Sequence, residues 1–99
     1  MTYMLGQATV EDFDAWKSNF DDNEPFRAEH GELGFQVFQS VEDPNEVTIV
    51  FEWDAAENAR ALFESDEMRA RLADAGVVGE PDLSFYEKVD ERSETRTPA

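Results

Sequence analysis

Apolar residues recur along this chain at two spacings. Between residues 47 and 53 every second position is apolar, so Val47, Ile49, Phe51 and Trp53 share one face of a strand. Thr48, Val50 and Glu52 share the other face, where only Glu52 is charged. Residues 2–10 alternate in the same way, with Tyr3, Leu5, Gln7 and Thr9 opposite Met4, Gly6, Ala8 and Val10. A glycine inside a strand, as at Gly6, marks a bulge or a close approach by another group. Residues 33–41 and 82–89 predict two further strands, and residues 77–81 predict a loop before the last one. Asp43-Pro44-Asn45 is a strong turn signal and predicts that the second and third strands form an antiparallel hairpin.

Over residues 12–30 the spacing becomes helical. Asp12 suits an N-cap, and Phe13, Trp16 and Phe20 follow as one stripe. Asp21-Asp22-Asn23-Glu24 interrupts the pattern, Pro25 fits a new first turn, Phe26 continues the apolar side and Gly31 suits the stop. This predicts one kinked helix or two short ones. Asp54 with Glu57 resembles a capping box that opens a second helical region. Ala59, Leu62 and Phe63 would be its buried side. Ser65 can restart the helix, Leu72 and Ala75 carry it on, and Gly76 ends it. Residues 90–99 are polar and read as a mobile tail.

The order βαββαβ favours a single α+β domain over residues 1–89. It is a ferredoxin-like, four-stranded antiparallel sheet with two helices on one face. Helices on one side leave the other sheet face bare. Apolar groups there ask for cover, and pairing of two sheets in a homodimer is the economical answer.

Charge narrows the partners. The 99 residues hold 24 acids against 8 bases, a formal net charge of −16. Nucleic acid is a poor partner, because phosphate contacts need clustered Lys and Arg. The acids are spread along the chain, which favours adaptation to a salt-rich cytoplasm over a docking patch for one basic partner. A halophilic source is the expectation. There is no cysteine, so disulfides and thiolate metal sites are excluded. No apolar run approaches the roughly 20 residues that span a bilayer. The first residues lack the basic region of a signal peptide. A cytoplasmic protein that binds neither membrane nor nucleic acid is expected. The acids at 21, 22 and 24 lack the spacing of a calcium loop, and no glycine-rich phosphate loop is present. No metal site or cofactor is expected.

Few residues carry candidate chemistry. His30, the sole histidine, can serve as a general base, or it can sit at a helix C-terminus where partial positive charge suits the dipole. One histidine supplies neither a nucleophilic triad nor a His-rich metal site. Trp53 can stack on an aromatic ligand or fill the core. The hydroxyls of Tyr3 and Tyr86 can hold a substrate oxygen or lie wet in a dimer interface.

Several segments together resemble a known family. They are Phe13-Asp-Ala-Trp16, the helix end Glu29-His-Gly31, the hairpin over residues 37–47, and Phe51-Glu-Trp-Asp54 followed by Ala59-Arg-Ala-Leu-Phe63. They resemble the dimeric α/β-barrel superfamily, and within it the small proteins similar to antibiotic-biosynthesis monooxygenases. The resemblance covers nearly all of residues 2–89. It implies a sheet-paired dimer with a ligand pocket between the helices and sheet of each subunit. Some such proteins oxidise aromatic polyketides without metal or flavin. Others degrade haem, using an asparagine on the first strand, a tryptophan late in the third and a histidine on the second helix. Here Trp53 matches the tryptophan and Gln7 stands at the asparagine's place. Leu62 and Phe63 occupy the histidine's region, which argues against haem.

Two functions remain open. In one, each subunit binds or oxidises a small aromatic or lipophilic ligand, with Trp53 stacking and His30, Gln7 or Tyr86 orienting polar atoms or taking a proton. In the other, Phe35, Phe38, Phe51, Phe63 and Phe85 pack the pocket shut, and the barrel is a non-catalytic binding or structural protein.

Overall fold

The computed structural model describes residues 2–92. Its elements run β1 (Thr2–Val10), α1 (Phe13–Asp22), α2 (Glu24–Glu29), β2 (Glu32–Gln39), β3 (Glu46–Trp53), α3 (Ala56–Phe63), α4 (Asp66–Asp74) and β4 (Val77–Glu87). The strands form one antiparallel sheet in the order β2-β3-β1-β4. This is the ferredoxin-like arrangement, with each helical region divided into two helices.

The divisions have local causes. Asp12 accepts a hydrogen bond from the Ala15 amide and starts α1. Asn23 ends α1 and opens α2, which carries Pro25 in its first turn. Ser65 accepts from the Met68 amide and starts α4. The expected Asp54 cap is not formed. Ala55 holds the N-cap position of α3 without a side-chain cap, and Asp54 accepts instead from the Asn58 amide side chain at 3.0 Å. The reason lies one strand away: the Asp54 N–H donates to the Gly31 carbonyl at 3.0 Å, which keeps Asp54 as an extension of the β2–β3 pairing. Gly31 has φ 110°, a conformation that favours glycine. A Cβ there would also collide with the Asp54 carboxylate.

In the hairpin turn, Asp43 accepts from the Asn45 amide through its side chain at 3.0 Å and from the Glu46 amide through its carbonyl at 3.0 Å. The expected loop at residues 77–81 is instead the first half of β4. Proline is tolerated there because β4 is an edge strand and the β1–β4 register shifts between Gln7 and Thr9.

One sheet face packs against the helices. Met4, Val10, Val47, Ile49, Phe51 and Trp53 meet Trp16, Phe20, Ala59, Leu62 and Met68 there. The opposite face presents Tyr3, Leu5, Gln7, Gln36, Phe38, Val50 and Tyr86. Tyr3 pairs with Tyr86 and Leu5 with Val50, while Phe38 and Tyr86 are each more than half exposed. Among the described residues no helix is long and apolar enough to cross a membrane. Of the tail expected over residues 90–99, positions 93–99 lie outside the described residues.

Candidate functional site

A cavity of about 60 Å³ lies between the helices and the sheet. Its walls are mostly apolar: Trp16 and Phe20 from α1, Phe51 from β3, Phe63 from α3, Met68 from α4 and Leu83 from β4. Gly6 leaves room at its floor, since a Cβ there would stand 3.5 Å from Leu83 and 3.9 Å from Phe51. Sites for drug-sized ligands run to about 300–1,000 Å³, so this cavity takes a ligand only if a wall gives way. Met68 and Leu72 on α4 form part of that wall, and the unbranched side chain of methionine is the one that adapts to a new shape at least cost.

Four polar residues also line the cavity: Asn19, Asn23, Arg27 and Arg71. The first three are spaced by four residues, so α1 and α2 present them along one side, and the Arg27 amide bonds the Asn23 carbonyl at 3.1 Å. Asn23 donates to Asn19 at 2.7 Å and accepts from Arg71 at 2.5 Å. Arg71 also donates to Glu67 at 3.1 Å, and its guanidinium lies 3.8 Å over the Phe26 ring.

Arg27 is the most unusual group in the molecule, a guanidinium only 3% exposed in the core. Its Nε donates to Glu32 at 2.5 Å and its Nη1 to the Phe20 carbonyl at 2.7 Å. Its carbon stands 3.8 Å from the centre of the Phe20 ring, a close cation–π contact. Glu32 is equally enclosed. Burial pushes its carboxyl above the ordinary value, and the opposing pull of the Arg27 hydrogen bond and charge is the smaller effect. Arg27 Nη2 and Arg71 Nε are both buried with no hydrogen-bond partner.

The residues singled out in the sequence do not converge on this cavity. Trp53 is fully buried and sits outside the lining, making edge contacts with Phe51 and Phe63 at 5.8 Å. Its indole N–H donates to the His30 carbonyl at 2.9 Å. His30 is exposed at the end of α2, with Nδ1 2.8 Å from the Phe26 carbonyl, and borders an open cleft with Glu29, Asp54 and Leu62. Gln7, Tyr3 and Tyr86 lie on the open sheet face, where Lys88 stands 5.0 Å over the Tyr3 ring. The phenylalanines divide as well. Phe51 and Phe63 form cavity wall, Phe35 and Phe85 pack beside the core, and Phe38 faces outward. Among the described residues no group of three or more His, Cys, Asp or Glu side chains is placed to hold a metal ion.

Sequence reading missed Arg27 and Arg71. The available signal was the 19-23-27 spacing beside the 13-16-20 apolar stripe. It was hidden because the acidic break at residues 21–24 reads as the end of a helix face.

A ferredoxin-like sheet with its helices over an apolar cavity makes this a small α+β protein, a fold that does not by itself fix an activity. The family model for antibiotic biosynthesis monooxygenases matches residues 7–73, and the chain belongs to that family. The fold is shared with a protein from Bordetella bronchiseptica described as an antibiotic biosynthesis monooxygenase (16% identity, 89% of this chain and 96% of that chain, TM-score 0.76). It is shared too with SnoaB, a cofactor-independent oxygenase from Streptomyces nogalater (12% identity, 94% and 97% covered, TM-score 0.74). A third similar structure, from Nitrosomonas europaea, is also described as an antibiotic biosynthesis monooxygenase (20% identity, 91% and 100% covered, TM-score 0.67). No curated protein sequence matches the chain.

Proposed function

We propose that this protein binds a small aromatic or lipophilic compound in the cavity under α1 and α4 and oxidises it with O₂, using neither metal nor flavin. The observation that carries this reading is the cavity itself: aromatic walls with a hydrogen-bonded cluster of Asn and Arg at its lining. A reaction without a redox cofactor draws its electrons from the substrate. One oxygen atom enters the substrate in place of two hydrogens, and the other leaves as water. Such a substrate must first become an electron-rich anion, and an enclosed site that stabilises the anion lowers the barrier.

The working unit in this reading is a homodimer paired through the open sheet face. Leu5, Val50, Phe38 and Tyr86 give that face its apolar character. Val50→Glu should convert dimer to monomer in analytical ultracentrifugation, and an unchanged sedimentation coefficient would remove the sheet-paired dimer. His30, Trp53, Gln7, Tyr3 and Tyr86 keep only indirect roles here. Trp53 supports the cavity walls from behind, while Tyr3, Gln7 and Tyr86 belong to the dimer face. The soluble, cytoplasmic, salt-adapted setting is part of the same proposal and rests on composition.

The small cavity also favours a second reading, a barrel that packs without turning over substrate. One variant separates the two. Gly6→Val places methyl groups into the cavity from a strand position where β-branching is favourable. The probe is 1-naphthol, followed by fluorescence of Trp16 in the cavity wall and by oxygen consumption. Saturable binding and uptake of oxygen by the native protein, both lost in Gly6→Val, are the expected results. Binding without oxygen uptake would favour the non-catalytic reading, and absence of binding would overturn the cavity as a ligand site.

A further inference from the structure

The buried pair of Arg27 and Glu32 is joined by one leg only. Arg27 Nε donates to Glu32 Oε2, whereas Arg27 Nη2, the nitrogen that would close a two-legged fork, has no partner. Arg27 lines the inner cavity. Glu32 lines a different space, an open cleft of about 680 Å³ between α2, the start of β2 and α3. Its Oε1 accepts no hydrogen bond from the described residues, yet it is not one of the wholly enclosed unpartnered atoms. Oε1 therefore opens on the cleft, although the side chain as a whole is only 4% exposed.

An anionic oxygen held so deep asks for a charged donor. Burial already keeps the Glu32 carboxyl above its ordinary value, so the single bond to Arg27 does not fully compensate the charge. The cleft adds negative potential around it. Glu29, Asp54 and Glu67 line it beside Glu32, and among the described residues no Lys or Arg does. Glu67 is tied to Arg71, while Glu29 and Asp54 have no cationic partner among the described residues. Acids alone would draw any cation, but the walls discriminate. Phe26, Leu33 and Leu62 give the cleft apolar surface, and Leu33 is 55% exposed. A metal ion gains nothing from such walls, and among the described residues no group of three or more His, Cys, Asp or Glu side chains is placed to hold one. An ammonium group on an apolar body uses both features, and the cleft has the size of a small-molecule site, about 300–1,000 Å³.

We propose that this cleft is a second binding site, for a primary amine with an apolar body, its ammonium donating to Glu32 Oε1 and its body lying on Phe26, Leu33 and Leu62. The site is separate from the inner cavity and does not depend on what that cavity binds. Primary alkylamines are protonated at neutral pH, as lysine is. An ammonium has three donors, so one reaches Oε1 while the others stay with the rim acids or with water.

His30 supplies the readout. It is the sole histidine, it borders the cleft, and its ring is fixed by the contact of Nδ1 with the Phe26 carbonyl. Its ring NMR signals should shift saturably as phenethylamine is added to the native protein at one salt concentration. The neutral isostere phenethyl alcohol should bind at least about tenfold more weakly, as expected of one charge-assisted hydrogen bond. Glu32→Gln should remove that preference, because its amide oxygen stays with Arg27 and its NH₂ donor takes the place of Oε1. Since Glu32 lies in the core, a second variant leaves it untouched. Ala61→Lys, at an exposed α3 position on the cleft, brings a competing ammonium and should abolish the saturable shift. Ala70→Lys, exposed on α4 and outside the cleft lining, adds the same charge and should stay within about twofold of native, since a solvated charge away from the site is screened. Equal affinity for the two probes, or a preference that survives in Ala61→Lys or in folded Glu32→Gln, would overturn the proposal. Equal weakening by both lysines would reduce it to general attraction by an acidic surface. Absence of any His30 shift would end it, and loss of amine binding in Gly6→Val would place the amine in the inner cavity instead and overturn the second site.

Discussion

The buried pair of Arg27 and Glu32 gives the sharpest stability experiment. Their side chains are 3% and 4% exposed, so each charge depends on the other for most of its compensation. Glu32→Leu leaves a guanidinium that cannot shed its proton, with Nε and Nη2 both unpartnered and only the Phe20 carbonyl remaining. Breaking a buried pair from one side destabilises by about 3–5 kcal/mol. That is a large part of the roughly 5–15 kcal/mol total of a small domain. Arg27→Met leaves the Phe20 carbonyl unbonded and the Glu32 carboxyl alone. That carboxyl can escape by protonation, so this variant should lose less stability at pH 5 than at pH 8. The double variant removes both charges and leaves chiefly the Phe20 carbonyl, an orphan worth about 1–3 kcal/mol, offset in part by apolar packing. It should therefore lie within about 2 kcal/mol of the native protein, which requires a coupling of at least about 4 kcal/mol between the sites, above the range of about 0.5–3 kcal/mol usual for neighbours. The assay is urea unfolding of all four proteins at one protein concentration, which keeps any contribution from self-association constant. Midpoints should move while the slope stays constant. Single variants that each lose less than about 1 kcal/mol and add in the double would refute the reasoning, because a pair that dry cannot be so weakly coupled.

Other outcomes follow from named contacts. Glu32 has its folded pKa raised from 4.5 by burial, so the folded state holds its proton more tightly than the unfolded state does. The stability this contributes is complete below that ordinary value and is lost as pH rises through the folded pKa. Glu32→Gln keeps an acceptor for Arg27 and should flatten the pH dependence just above 4.5, measured in high salt where repulsion among the surface acids is screened; an unchanged profile would contradict the assignment. Gly31→Ala should destabilise by more than the roughly 1–2 kcal/mol of its left-handed conformation, because Asp54 occupies the space of the new methyl; a thermal midpoint within error of native would contradict this. With a net charge of −16, the midpoint should climb as KCl is added, at about 4–8 °C per kcal/mol for a domain of this size, and a flat response would end the salt-adaptation reading.

The period-two and helical patterns were enough to lay out the sheet. Alternation from Val47 to Trp53 put those apolar residues on the helix-covered face, and the structure places Val47, Ile49, Phe51 and Trp53 in the core. Local signals at Asp12 and Ser65 gave helix starts because each depends only on residues three positions away. Asp54 misled for the converse reason: its backbone partner, Gly31, is far off in sequence. The residues at 77–81 misled because their pairing depends on a register shift in which β4 spends four residues against two of β1. The cavity was the least legible part. Tryptophan and histidine attract notice by type, yet the Trp53 indole is bonded to the His30 backbone carbonyl and the His30 ring to that of Phe26. Arginine in an acidic chain reads as a surface counter-ion, and only tertiary packing over Phe20 and Phe26 turns Arg27 and Arg71 inward.

The make-up of the cavity wall bears on how a reaction there would respond to pH. Gly, Ala, Asn, Pro, aliphatic and aromatic residues line it, and its only ionisable members are two arginines, which hold their protons at any physiological pH. No wall residue can accept a proton. A substrate ionised there would lose its proton to water on the way in, so turnover would rise along the substrate's own titration curve and shift with its ring substituents. The protein would add no bell-shaped signature of its own, and electron-withdrawing groups that acidify the hydroxyl would move the working range to lower pH.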